Sequence, residues 1–71
     1  LAKVEINRIK VALAETRRKN KWLAEKLEKD ESTISQWCTN ARQPSLGNLL
    51  NIANALDIDI RELLYSTKES A

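Results

Sequence analysis

An all-α domain, five short helices in a compact bundle, is the fold class this sequence predicts. Three observations predict it. The apolar residues are mostly Leu, Ile and Ala, with one Gly, one Pro and no Phe, a composition that favours helices over strands. Those residues recur at spacings of three and four along most of the chain, the period of a helix face. Asn20, Asp30, Asn40, Ser45 and Asp59 interrupt the pattern at short intervals, and all are residue types suited to helix ends.

The first helix is read from "EINRIKVALAETRRK", residues 5–19, where Ile6, Ile9 and Leu13 share a face with Ala12 beside them. The second is "NKWLAEKL", with Asn20 as its N-cap and Leu23, Ala24 and Leu27 turned inward. The third runs from Glu31 to Thr39, "ESTISQWCT", behind Asp30 as N-cap, and Glu31 suits the positive helix end. Asn40 tolerates the left-handed conformation and ends it. Ser45 caps the fourth, "LGNLLNIANAL", whose apolar set is read as Leu46, Leu49, Leu50, Ala53 and Leu56. Gly47 near its start costs up to ~1 kcal/mol relative to Ala, and less in the first turn. Asp59 and Glu62 make a capping box for a short last helix through Leu63, Leu64 and Tyr65. Residues 66–71 are expected to fray.

With 71 residues the chain is expected to be a single domain, 1–71, burying only about 60% of its unfolded surface. One Cys cannot form an intramolecular disulfide, and without His there is no Cys/His zinc site. No metal or cofactor is expected. No run approaches the ~20 apolar residues of a membrane span and no signal peptide is evident, so the expectation is a soluble cytoplasmic protein with no membrane partner. The first residue is Leu1 and no Met occurs, which leaves room for a longer natural chain. Residues 1–29 carry nine Lys/Arg against four Glu, and residues 30–71 three against six Asp/Glu. A basic half (+5) joined to an acidic half (−3) suggests one face for a polyanion and another that avoids it, unless both are ordinary solvated surface. There is no phosphate-cradling Gly loop, no Ser-Lys arrangement and no acid/base pair in a chain large enough for a cleft, so the chain is not read as an enzyme.

Only "EKD" joins the second helix to the third. Such a short turn, with Ala24 before it and Ile34 and Trp37 after it, describes a helix-turn-helix over residues 20–39. Ile34 and Trp37 would anchor the third helix to the core. Its other face carries Ser32, Ser35, Gln36 and Thr39, uncharged hydrogen-bonding side chains suited to base edges in the major groove of double-stranded DNA. Trp22 lies toward the outside of the second helix, as half-buried packing or as a contact for DNA or a partner. Cys38, with no basic neighbour in sequence, is read as a passive small residue.

The stretch "NKWLAEKLEKDESTISQWCTNARQPSLGNLLNIANALDIDIRELL" resembles the Cro and phage-repressor type of helix-turn-helix, the xenobiotic-response-element family with its lambda-repressor-like fold. The matching pieces are "LAEKL", "STIS", Trp37, "PSL", "LLNIANAL" and "IRELL". The resemblance implies a five-helix DNA-binding domain that usually acts as a dimer and regulates transcription. By position it implies base contacts from Glu31, Ser32, Ser35, Gln36 and Thr39. Backbone-phosphate contacts would come from Asn20 and from the loop residues Asn40, Arg42 and Gln43, joined by the flanking charges Lys19 and Lys21. The dimer contact is expected at Ile58, Leu64 and Tyr65. Three positions depart from the family pattern. Glu28 stands where Gly is usual in the turn, Glu31 where Gln or Arg is commoner, and Lys19 where Ser or Thr caps the second helix.

The leading expectation is a sequence-specific regulator, a small repressor. An antitoxin would keep the fold but have a protein as its decisive partner, with autoregulatory DNA binding. A protein-interaction domain without DNA binding is the third reading, with Glu31 as its best support.

Overall fold

The computed structural model describes residues 5–68. Four α-helices and a 3-10 turn follow one another: α1 Ile9–Glu15, α2 Asn20–Leu27, α3 Glu31–Cys38, α4 Leu46–Leu56 and the turn Ile60–Leu63. The fifth helix of the sequence reading is therefore a single tight turn. Asp59 starts it with the expected capping box: its carboxylate accepts from the Arg61 N–H at 2.8 Å, and its own N–H donates to Glu62 Oε2 at 3.3 Å. Among the described residues no helix is long and apolar enough to cross a membrane. The fraying expected of residues 66–71 lies partly outside the described residues, which stop at Lys68.

One core joins all the elements. Ile34 and Trp37 of α3 meet Ile9, Ala12 and Leu13 of α1, Leu23 and Ala24 of α2, Leu49, Ile52, Ala53 and Leu56 of α4, and Leu63. Each large aliphatic side chain removed from water contributes about 1.5–3 kcal/mol, so α3 is fastened chiefly through two residues. Leu27 and Trp22 are half-buried against the same core.

Two parts of the sequence reading are corrected. The inner face of α4 is Leu49, Ile52, Ala53 and Leu56; Leu46 is 78% exposed and Leu50 51%. At about 100° per residue, Leu46 and Leu50 fall about 70° and 110° from the centre of that face, and Ile52 takes the place assigned to them. At the other end, α1 spans Ile9–Glu15 rather than residues 5–19. Residues 6–8 instead pair with the chain beyond the 3-10 turn. Arg8 N–H donates to Leu63 O at 2.8 Å, Tyr65 N–H donates to Ile6 O at 3.1 Å, and Asn7 and Leu64 form an antiparallel bridge. Backbone committed to that pairing cannot continue a helix, so Ile6 is 50% exposed and Leu64 and Tyr65 are extended rather than helical.

All four helices end in the same way. Arg17, Glu28, Asn40 and Asp57 have φ of 59°, 54°, 61° and 57°. Behind each, the following N–H reaches back five residues: Arg18 to Leu13 O, Lys29 to Ala24 O, Ala41 to Gln36 O and Ile58 to Ala53 O, at 2.8–3.0 Å. This is the Schellman ending, made four times without a glycine. Asn40 and Asp57 are residue types that enter this region more readily, whereas Arg17 and Glu28 are not. The chain's sole glycine, Gly47, sits inside the first turn of α4, where an added Cβ would meet nothing nearer than Ser45 Oγ at 3.9 Å.

Candidate nucleic-acid interface

The sharp crossing of α2 and α3 starts at Glu28. Its left-handed backbone (φ 54°, ψ 46°) reverses the chain after α2, and Asp30, extended at φ −70°, admits α3 two residues later. Asp30 occupies the expected N-cap position, yet its side chain makes no capping bond. Lys19 rather than Asn20 is the N-cap residue of α2, and it too makes none. Both helix starts leave N–H groups without a side-chain cap, and the Glu31 carboxylate lies in the first turn of α3, at its positive end. Ser45 does cap α4, accepting from the Asn48 N–H at 3.1 Å.

On α3 the division between anchor and front is complete. Ile34, Trp37 and Cys38 are buried, while Glu31, Ser32, Ser35, Gln36 and Thr39 are all exposed. Ser32, Ser35, Gln36 and Thr39 follow the i, i+3, i+4, i+7 pattern of one helix face. Thr39 Oγ1 donates back to Gln36 O at 3.3 Å. The front therefore offers hydroxyls, one amide and the Glu31 carboxylate, on a helix held rigidly from behind.

The residues expected at phosphates gather at the C-terminal end of α3. The Cys38 thiol donates to Asn20 Oδ1 at 3.5 Å, which brings the start of α2, with exposed Lys19 and Lys21, beside the last turn of α3. That bond engages Asn20 Oδ1, and its amide hydrogens have no partner among the described residues. Arg42 is exposed, and its N–H donates to Gln36 O at 3.2 Å. Asn40 and Gln43 are more committed. Asn40 Oδ1 accepts from Ile6 N–H and Asn7 N–H, both at 2.9 Å, and from Gln43 Nε2 at 3.0 Å; its Nδ2 donates to Asn7 O at 3.1 Å. Gln43 Oε1 accepts from Asn7 Nδ2 at 2.7 Å.

Two features escaped the sequence reading. Arg17, Arg18, Lys19 and Lys21 surround one open groove of about 400 Å³ together with Trp22 and Glu25. The Arg18 guanidinium lies 4.4 Å from the centre of the Trp22 ring, and Lys26 Nζ 5.8 Å, within cation–π range. Trp22 is thus half-buried packing that also organises cations. The second feature is Asn7, a polar side chain only 2% exposed. A weak helix former between Ile6 and Ile9 was the available signal. Burial pushes the Cys38 thiol above its ordinary value, and Lys10 offsets part of that rise.

The remaining expected contacts, those for a dimer, neighbour Ile6, whose N–H donates to Asn40 Oδ1 and whose carbonyl accepts the Tyr65 N–H. Leu64 and Tyr65 are exposed beside Ile6, and Ile58 is half-buried against the core.

Comparison with known proteins agrees with this geometry. The chain matches the family model described as "Helix-turn-helix" over residues 13–63. It is similar to the crystal structure of a "putative DNA-binding protein" from Bacteroides fragilis, with 53% identity and a TM-score of 0.83, over 84% of this chain and 97% of that one. No curated protein matches. A short left-handed turn, a third helix anchored by Ile34 and Trp37 with its polar face outward, and a family match from α1 to the 3-10 turn make this chain a member of the Cro-like helix-turn-helix family of DNA-binding domains.

Proposed function

We propose that the chain is a sequence-specific transcriptional regulator, a small repressor, that reads double-stranded DNA with α3 in the major groove. The observation that carries this reading is the exposed row of Ser32, Ser35, Gln36 and Thr39 on a helix whose opposite face is wholly buried. In this reading Gln36 bonds adenine in bidentate fashion, the hydroxyls bond neighbouring bases, and Glu31 accepts from cytosine N4. Lys19, Lys21 and Arg42 hold the phosphates by charge, and Asn20 adds its free amide hydrogens. Asn40 and Gln43 meet the backbone from the loop, with residues 20–39 as the helix-turn-helix unit. Two copies act together through Ile58, Leu64 and Tyr65. The acidic Asp57, Asp59 and Glu62 near that contact suit a side turned away from DNA.

Selection of bound duplexes from a random pool, followed by footprinting, tests the reading. The expected result is one preferred pseudo-palindromic sequence whose affinity falls steeply with salt. Recovery of no sequence, with no salt-dependent binding to any duplex, would leave a protein-interaction domain as the better account.

A further inference from the structure

α3 is eight residues long, about 12 Å at 1.5 Å per residue. Its front reads bases only if its last turn, which carries Gln36 and Thr39, holds its position. The last carbonyls of a helix lack helical partners, and here they are met almost entirely by the residues that follow them. Thr39 N–H donates to Ser35 O at 3.0 Å. Ala41 N–H and Arg42 N–H donate to Gln36 O at 3.0 and 3.2 Å, and Asn40 N–H donates to Trp37 O at 3.1 Å. These bonds fold the loop onto the helix without fixing either to the rest of the domain.

Besides the core packing of Trp37 and Cys38, the Cys38–Asn20 bond and the Ile6 N–H on Asn40 Oδ1, Asn7 attaches both the helix end and the loop. Its Nδ2 donates to Trp37 O at 2.9 Å and to Gln43 Oε1 at 2.7 Å. Gln43 Nε2 returns to Asn40 Oδ1, and Asn40 Oδ1 accepts the Asn7 N–H. The ring is closed: Asn7, Gln43 and Asn40 bond one another, and Asn7 also holds the last turn of α3. Asn7 is itself bonded on several sides. It is buried, its Oδ1 accepts the Ile9 N–H at 3.1 Å to start α1, and its neighbours are paired with residues 63–65. The network is buried at Asn7 and reaches the surface at Gln43, and with its members bonded to one another it favours one geometry. It bridges the rigid body of the domain and the end of the reading helix.

We infer that Asn7 is a positioning residue for base readout, acting through Trp37 O and the Asn40–Gln43 loop to fix where Gln36, Thr39 and Arg42 meet the duplex. This rests on the DNA-reading function proposed above. Contacts that specify bases need their supporting residues locked to within about 0.5 Å, whereas charge-driven binding to any duplex tolerates a looser end.

Asn7→Ser tests it in the full chain. Ser keeps an oxygen near the Ile9 N–H but cannot reach Trp37 O and Gln43. Affinity is measured for the duplex selected from the random pool and for a random-sequence duplex, at one salt concentration and well below the melting midpoint. The expected result is a loss of about tenfold or more on the selected duplex, with less than about twofold on the random one. A merely structural role lowers both together through the folded fraction. Asn7→Ser in a Gly47→Ala background, where the added helix propensity restores part of the lost stability, gives the same readout if Asn7→Ser alone folds poorly. Equal loss on both duplexes, or no loss on either, overturns the positioning role while leaving DNA reading intact. A native chain that selects no duplex overturns both.

Discussion

The Cys38 thiol of α3 donates to Asn20 Oδ1 of α2 at 3.5 Å, so the first turn of one helix and the last turn of the next are joined at the edge of the reading face. A thiol is a weak donor, and the bond contributes little to stability. Its effect is to orient the Asn20 amide, with its hydrogens free for an anion. Asn20→Ala should therefore shift the melting midpoint by only a few degrees, yet weaken binding to selected and random duplexes alike, because a phosphate contact carries no sequence information. Parallel binding curves on the two duplexes check this. Loss confined to the selected duplex would place Asn20 at a base instead.

Gln36 and Lys21 should separate in the opposite sense. Gln36 is exposed on the α3 front, and Lys21 is exposed in the first turn of α2. Gln36→Ala is expected to relax preference at one base pair by roughly 1–3 kcal/mol. Lys21→Ala should weaken all sequences equally and reduce the salt slope by about one. Titrations at several salt concentrations on single-base variants of the site give both numbers. Equal loss on specific and random duplex for Gln36→Ala would remove it from the reading set.

The left-handed turn offers a stability test independent of DNA. Glu28 has φ 54°, a conformation that costs a side-chain-bearing residue about 1–2 kcal/mol. Glu28→Gly should relieve that cost by more than the added chain entropy removes. The expected gain is about 1 kcal/mol, or roughly 4–8 °C in a domain of this size. Gly47→Ala should add a smaller gain, since its Cβ enters open space and the first helical turn weighs propensity less. Thermal unfolding by circular dichroism measures both, and a lower midpoint for Glu28→Gly would show that its side chain has a role of its own.

The parts legible in the sequence were those with local signals at both ends. α2 and α4 begin and end where the apolar period, the Ser45 cap and the breaks after Leu27 and Leu56 put them, and α3 differs only in ending at Cys38, with Thr39 as its C-cap. The anchor pair Ile34 and Trp37 was read correctly because helical spacing alone assigns it a face. The N-terminal segment was misread because its determinant is non-local. Ile6 fits the apolar stripe of a longer α1, but residues 6–8 pair with residues 63–65, and no periodicity announces that. Arg17 carries no stop signal, so the end of α1 was also hidden. The Asn7 network follows from the same cause, as it joins residues thirty or more apart. Leu46 and Leu50 show the converse error, apolar residues taken as core although the bundle turns a neighbouring stripe inward.

The capping box predicts a pH dependence. Asp59 is exposed, and hydrogen bonds from the Arg61 side chain, with its backbone N–H next, hold the carboxyl below the ordinary value. The Arg61 Nε and Nη2 distances are 3.1 and 3.0 Å. A depressed folded value stabilises the fold above the unfolded value and stops doing so as pH falls through the folded one. The melting midpoint should therefore fall as pH drops below about 4, the ordinary carboxylate value, and Asp59→Asn, which keeps a capping oxygen without titrating, should fall less over the same range. Midpoints of the two proteins across the interval provide the comparison, and identical slopes would show that Asp59 carries none of the dependence.

The proposed dimer makes the last prediction. One α3 reaches only a few base pairs, while specific affinities usually need more interface than a single small module supplies. A two-fold arrangement doubles the contacts and sets the reading helices about 34–36 Å apart in successive major grooves. Leu64 and Tyr65 are 39% and 42% exposed beside Ile6 at 50%, an apolar surface left by the pairing of the N-terminal segment with the chain after the 3-10 turn. Ile58, half-buried against the core in the loop after α4, is the third residue of the proposed contact. Leu64→Asp puts a charge there without touching α3. It should reduce affinity for a full pseudo-palindrome to that for one half-site, and footprints on the two sites with sedimentation of the complexes measure this. A symmetric site still bound by two copies of Leu64→Asp would move the contact to the uncharged outer face of α4, where Leu46 and Leu50 are exposed. An asymmetric half-site bound by one chain per duplex, indifferent to Leu64→Asp, would rule the dimer out.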